Sequence, residues 1–142
     1  MPQTGRCLCG AVRYELTSEL GPLINCHCQY CRRAHGAPFA TLSPVAASAV
    51  RVVAGEDFIR EFRTAGVGSR TFCERCGTRL WNRGESTPDV LTLVVTTLDA
   101  EPVRGPVMHI NVESKASWYE ILDALPQHPG FPQLAKRDAD PR

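Results

Sequence analysis

Cys7-Leu8-Cys9-Gly10-Ala11-Val12-Arg13-Tyr14-Glu15-Leu16 holds, within ten residues, the two patterns that decide how this chain folds. Its second half alternates apolar Val12, Tyr14 and Leu16 with charged Arg13 and Glu15, the period of two expected of a strand with one face buried. Its first half sets two cysteines one residue apart ahead of a glycine, a spacing that turns two sulfurs toward one point, as a metal ion requires. A metal knuckle feeding a β-strand is the expectation for this segment.

Outward from it, short strand-like runs recur at 39–42, 50–53, 58–62, 70–72, 90–96 and 108–112. Glycine and proline punctuate the turns between them, as in Gly21-Pro22, Ser43-Pro44, Gly66-Val67-Gly68 and Gly105-Pro106, too often for long helices. The fold class predicted is mainly β. One or two helical turns are predicted at 29–35, closed by Gly36 as a C′ residue, and at 116–122, stopped ahead of Pro126. A single domain is predicted over residues 1–132, with 133–142 an Arg/Asp/Pro-rich, frayed tail.

Composition narrows the function classes. The chain has 142 residues, 43% hydrophobic and 22% charged, in the range of globular proteins that bury a core without disulfides. Net charge is +1, and no dense Lys/Arg cluster marks a nucleic-acid footprint, so nucleic acid is not expected as a partner. No apolar run is long enough to span a bilayer, and the first residues carry no apolar leader, so membrane association is not expected and a cytoplasmic location is. Of 16 basic residues only Lys115 and Lys136 are lysines. The arginine excess reads as compositional bias, with bidentate capture of carboxylates the functional alternative.

Seven cysteines fall in three clusters: Cys7-x-Cys9, Cys26-x-Cys28-x-x-Cys31 and Cys73-x-x-Cys76. An odd number, tightly clustered, speaks against a disulfide framework and for metal ligation. Cys26, Cys28 and Cys31 lie in one six-residue stretch and can wrap one ion. Cys7, Cys9, Cys73 and Cys76 then complete a closed tetrahedral site tying the N-terminal segment to the middle of the chain. Two zinc ions per chain are expected, and the closed site adds folding free energy of about 10 kcal/mol. The alternative joins Cys28/Cys31 to Cys73/Cys76 as a zinc ribbon and strands Cys7, Cys9 and Cys26.

Three ligands leave a fourth tetrahedral position open, the arrangement of a catalytic zinc. Thiolate ligands suit zinc, and zinc deprotonates a bound thiol outright, which favours thiol chemistry over zinc-hydroxide hydrolysis. If His27, His35 or another side chain closes the site, it is structural instead. His109, a histidine within a strand pattern, is the candidate general acid or base, against a packing role. Arg32, Arg33 and Arg13 are candidates to receive a substrate carboxylate or to offset the anionic sulfurs. Trp81 and Trp118 read as core residues.

The combination Cys7-Leu8-Cys9-Gly10, Cys26-His27-Cys28-Gln29-Tyr30-Cys31-Arg32 and Phe72-Cys73-Glu74-Arg75-Cys76-Gly77 resembles the glutathione-dependent formaldehyde-activating enzyme family, also called the centromere protein V family. His109-Ile110, Ser114-Lys115, Trp118 and Asp123-Ala124-Leu125-Pro126 resemble its downstream signature, so the likeness runs from about Gly5 to Pro132. The resemblance implies an Mss4-like fold of several coiled β-sheets with short helical turns, and the same metal partition. It also implies Cys7, Cys9, Cys73 and Cys76 as structural zinc ligands and Cys26, Cys28 and Cys31 as ligands of the zinc where glutathione is handled. The implied activity is that of a carbon–sulfur lyase joining formaldehyde to glutathione.

Two function classes stand side by side. In one, the chain is a lyase-type enzyme acting on adducts of a small thiol, glutathione or similar, with an aldehyde; its mark is the free coordination position. In the other it is a zinc-stabilised binding module without catalysis, marked by a closed second site or an exposed apolar patch in place of a pocket. A methionine sulfoxide reductase is disfavoured, because no cysteine follows Cys76 to serve as its nucleophile.

Overall fold

A computed structural model describes residues 2–132 and separates the chain into two compact units. The predicted tail at 133–142 lies outside the described residues. The first unit takes residues up to Leu23 and Thr41–Gly105, the second Ile24–Ala40 and the chain from Pro106. Ten strands, one seven-residue α-helix, α1, and four three-residue 3₁₀ turns make up the regular structure of the described residues, so the mainly β expectation is met.

In the first unit, β1 (Gln3–Arg6), β2 (Arg13–Leu16) and β5 (Val50–Ala54) pair antiparallel in the order β1-β2-β5. A second antiparallel run orders β4 (Ala40–Ala46), β9 (Thr87–Val94), β8 (Arg79–Gly84), β7 (Gly68–Cys73) and β6 (Ile59–Thr64) as β4-β9-β8-β7-β6. The alternation that opened the sequence reading is realised side chain by side chain: Val12, Tyr14 and Leu16 are fully buried, and Arg13 between them is exposed. They pack with Val45, Leu80, Trp81, Leu91 and Leu93. Tyr14 meets Trp81 edge to face at 5.7 Å, and its hydroxyl bonds the Thr97 hydroxyl at 2.6 Å. Cys7 and Cys73 belong to the same cluster, so this core carries the sulfurs on its rim. At Gly55, with φ of 77°, a Cβ would lie 2.0 Å from the Ala11 carbonyl oxygen, so only glycine lets the chain leave the end of β5 beside the start of β2.

Three strands escaped the pattern reading, each for a physical reason. β1 is polar, and only Gly5 is buried, its Cα against the Tyr14 ring where a Cβ would be 2.2 Å away. β8 buries the adjacent Leu80 and Trp81, because the pairing register shifts opposite Thr71 and Phe72 and breaks the period of two. β3 (Ile24–Cys26) is three residues long and buried throughout, Asn25 included.

The second unit pairs β3 in parallel with β10 (Met108–Ile110), in the register Met108 to Ile24, His109 to Asn25 and Ile110 to Cys26. The other edge of β10 is held by the segment 126–130: His109 N–H donates to the Pro126 carbonyl at 2.9 Å and His128 N–H to the His109 carbonyl at 2.9 Å. Flanked on both edges, all three residues of β10 are buried. α1 (Gln29–His35) has the predicted bounds and ends at Gly36 in the left-handed conformation, φ 59° and ψ 40°.

Two expectations are corrected. Residues 116–122 form no helix; a 3₁₀ turn at Val112–Ser114 precedes them. Tyr119 N–H closes a single turn on the Ala116 carbonyl, and the Lys115 ammonium takes the carbonyls of Ala116 and Tyr119 that a continuing helix would need. Trp118 is 73% exposed and is not core, whereas Trp81 is buried as expected.

Candidate metal centre

The four-sulfur group lies wholly within the first unit. Cys7 and Cys9 occupy the turn after β1, where Gly10 N–H closes on the Cys7 carbonyl at 3.1 Å. Cys73 ends β7, and Cys76 stands in the turn before β8, closed by Gly77 N–H on the Cys73 carbonyl at 2.7 Å. The four sulfurs lie within 4.8 Å of one another. Cys7 to Cys9 is 3.6 Å and Cys9 to Cys73 is 3.9 Å. A tetrahedron with zinc–sulfur bonds of about 2.3 Å has edges of about 3.8 Å, so this donor set fits zinc as it stands. Val12 N–H donates to the Cys7 sulfur at 3.3 Å. Burial works to raise the Cys76 thiol, but the Thr78 hydroxyl and the N–H groups of Cys9 and Thr78 outweigh it and bring it down to about 5. Burial pushes Cys73 up to about 11.

Cys26, Cys28 and Cys31 form the other group, wholly within the second unit, again with sulfurs within 4.8 Å of one another. β3 delivers Cys26 at its last residue. Cys28 caps α1, its sulfur accepting the Cys31 N–H at 3.3 Å, and Cys31 points into the interior from the first turn. Asn111 Nδ2 donates to the Cys26 sulfur at 3.3 Å. The crowding of sulfurs raises two of these thiols: Cys28 beside Cys26, then Cys26 and Cys28 beside Cys31, with burial adding to both. Thiols that resist ionising together are what a divalent cation resolves. Among the described residues no histidine or carboxylate brings a ligand atom into this group, His27 and His35 included, so it closes at three sulfurs.

Histidine 27, between two of those cysteines in the chain, begins a buried polar row. His27 Nε2 lies 2.8 Å from His109 Nδ1, and His109 Nε2 lies 3.1 and 3.0 Å from the two Asp123 oxygens. Both histidines are essentially inaccessible to solvent, whereas the Asp123 side chain is 46% exposed. Burial lowers His27 to about 4, with the neighbouring His109 adding to the effect. The His109 bond, followed by the Leu125 N–H, holds Asp123 below the usual carboxylate range. His109, the acid–base candidate of the sequence reading, thus has both ring nitrogens engaged. Asp123 had been noticed only as part of a motif, and nothing in the sequence pairs position 123 with position 109.

The arginine candidates separate. Arg32 and Arg33 line a cavity of about 310 Å³ with Gln29, Pro38 and the exposed Trp118. Arg32 Nη1 is anchored on the Ser114 carbonyl at 2.6 Å, and Arg33 is exposed. Arg13 is in the first unit, its Nε bonded to the Gly10 carbonyl at 3.2 Å. Among the described residues no helix is long and apolar enough to cross a membrane.

A family model described as "Glutathione-dependent formaldehyde-activating enzyme" matches residues 2–114. A protein of Halomonas elongata named "Putative glutathione-dependent formaldehyde-activating enzyme" is 28% identical over 124 residues, 82% of this chain and 79% of that one. An "Uncharacterized lyase" of Schizosaccharomyces pombe is 30% identical over 82 residues, covering 57% of this chain and 58% of the other. Among solved structures, the crystal structure of a Rhodobacter sphaeroides protein superposes with a TM-score of 0.60 at 26% identity, over 72% of this chain and 97% of that one.

Proposed function

The chain belongs to the glutathione-dependent formaldehyde-activating enzyme family, and from that premise we propose that it is a zinc-dependent carbon–sulfur lyase-type enzyme joining a small thiol, glutathione or similar, to an aldehyde such as formaldehyde. The observation that carries this reading is the three-sulfur group: three sulfurs within 4.8 Å of one another, joined by no fourth cysteine, histidine or carboxylate among the described residues. A closed group would have favoured the zinc-stabilised binding module. In this reading Cys7, Cys9, Cys73 and Cys76 hold a structural zinc and Cys26, Cys28 and Cys31 a second one. The chemistry a zinc bound to the three cysteines would supply is to lower the pKa of an incoming thiol.

The remaining steps belong to the chain. The substrate sulfur adds to the aldehyde carbon, the C–S bond forms as the carbonyl π pair moves to oxygen, and that oxygen gains the proton the thiol gave up. Lyase action is the reverse. Arg32, its guanidinium fixed by the Ser114 carbonyl, and Arg33 offer N–H donors to a carboxylate of the thiol substrate, with the Trp118 indole as the apolar wall. The role proposed for His109 is positioning, since both of its nitrogens are already engaged. Seven free thiols suit a reducing compartment, the cytoplasm in this proposal, and residues 1–132 are taken as the functional domain.

The test is an exchange experiment. Formaldehyde is mixed with thiols that carry or lack carboxylates, and NMR follows interconversion of free thiol and hydroxymethyl adduct with and without the zinc-loaded protein. The expected result is faster exchange with protein, greatest for carboxylate-bearing thiols. No acceleration for any thiol would remove the lyase reading and leave the binding module.

A further inference from the structure

We propose that Asp123 sets the direction of a buried hydrogen-bond chain, running through His109 to His27, that ends in a lone pair on His27 Nδ1 offered to an O–H or S–H donor of the substrate. The substrate half rests on the function proposed above; the direction of the chain does not.

Direction follows from what each group can do. An ionised carboxylate only accepts, and both Asp123 oxygens lie within 3.1 Å of His109 Nε2, so that nitrogen carries hydrogen. A neutral imidazole has one N–H, which leaves His109 Nδ1 as an acceptor. Its partner at 2.8 Å is His27 Nε2, which must therefore be the donor. His27 Nδ1 then holds a lone pair and no hydrogen. That atom is buried and without a hydrogen-bond partner, an uncommon state for a buried polar group and one that a ligand can relieve.

The row is held so that its members cannot turn away. His27 backbone N–H bonds the Ile110 carbonyl at 3.0 Å, and the backbone N–H and carbonyl of His109 bond Pro126 and His128 on the edge away from β3. The His27 ring packs on Phe39, with centroids 5.1 Å apart, and Asp123 Oδ1 also accepts the Leu125 N–H at 3.0 Å. The chemistry of the proposed reaction selects the donor. An aldehyde carbonyl, a thiolate and a carboxylate have no hydrogen to give, whereas the hydroxyl of the hydroxymethyl adduct and the un-ionised thiol do.

The experiment reads tautomers directly, on zinc-loaded, ¹⁵N-labelled protein without substrate, by long-range ¹H–¹⁵N correlation at neutral pH. Both rings are expected as the Nε2–H form, with His27 Nδ1 bare. In Asp123→Asn the amide oxygen keeps the Leu125 N–H and an amide nitrogen replaces the oxygen 3.0 Å from His109 Nε2, so both rings should shift together toward the inverted form, with His27 Nδ1 gaining hydrogen in step with His109 Nδ1; two unchanged rings would overturn the role of Asp123. Asp123→Ala, with no group to impose either form, should give mixed tautomers. A hydrogen on His27 Nδ1 in the wild type, as a doubly protonated His109 would produce, overturns the proposal. So does an Asn variant in which His27 keeps its wild-type form while His109 changes. If the exchange activity is present, Asp123→Asn should lower kcat about 100-fold with KM within about threefold. A loss of stability alone would not invert two rings, and a failed exchange assay would leave the tautomer result standing.

Discussion

The two sulfur groups differ first in how much chain they gather. The three-sulfur group fits into six consecutive residues, Cys26 to Cys31, whereas the four-sulfur group closes two turns whose members Cys9 and Cys73 are 64 positions apart. Joining distant segments restricts the unfolded chain, so metal binding at the four-sulfur group is folding free energy. Joining near neighbours restricts little, so an ion held by the three-sulfur group would add little to folding and, in the proposed reading, would serve chemistry. In the proposed reading the same ligand type would serve two purposes, with loop length and ligand count deciding which.

The largest expected effect follows from that contrast. Cys73→Ser should give insoluble or unfolded protein, since about 10 kcal/mol of metal-linked folding energy rivals the whole stability of a domain. Cys28→Ser should stay folded, lose one of two zinc ions by elemental analysis, and lose thiol-dependent activity. Equal destabilisation in circular dichroism melts would erase the distinction.

A smaller, spectroscopic effect separates the sites in the intact protein. With cobalt in place of zinc, adding glutathione should intensify the thiolate charge-transfer bands of the three-sulfur site toward those of a four-sulfur complex, while the four-sulfur site stays unchanged. A methylated thioether should leave both sites' spectra unchanged. A resting spectrum that already shows four protein ligands at both sites would refute the contrast.

The smallest effect concerns the support of one sulfur. Asn111 holds a left-handed conformation, φ 57°, while its amide donates to Cys26. Glycine adopts that conformation freely, so Asn111→Gly removes the amide and spares the backbone. Chelator competition should show zinc affinity of the three-sulfur site weakened about 10- to 100-fold, as for other lost supporting bonds, with the four-sulfur site unaffected. Unchanged affinity would show that this N–H···S bond carries no weight.

Much of this was legible in the residue order. Val12, Tyr14 and Leu16 announced a half-buried strand because solvent on one face and core on the other write themselves as a period of two. α1 was bounded by the Gly36 C′ signal, and the cysteine spacings partitioned the sulfurs into the two groups that the fold brings together. The failures have an equally local origin. β3, three residues long and buried throughout, carries no alternation to announce it, and Lys115 takes the carbonyls on which a helix at 116–122 would have depended.

By itself the sequence determined the grouping of the cysteines, the β class and the family, because all three are written in spacing over a few residues or in motifs. Only the tertiary structure decided that no histidine or carboxylate among the described residues joins the three-sulfur group, that His109 stands between His27 and Asp123, and that Trp118 faces solvent beside Arg32 and Arg33. Those are facts about side chains up to 96 positions apart, and pairing at that range is fixed by strand register and packing, which no local pattern encodes.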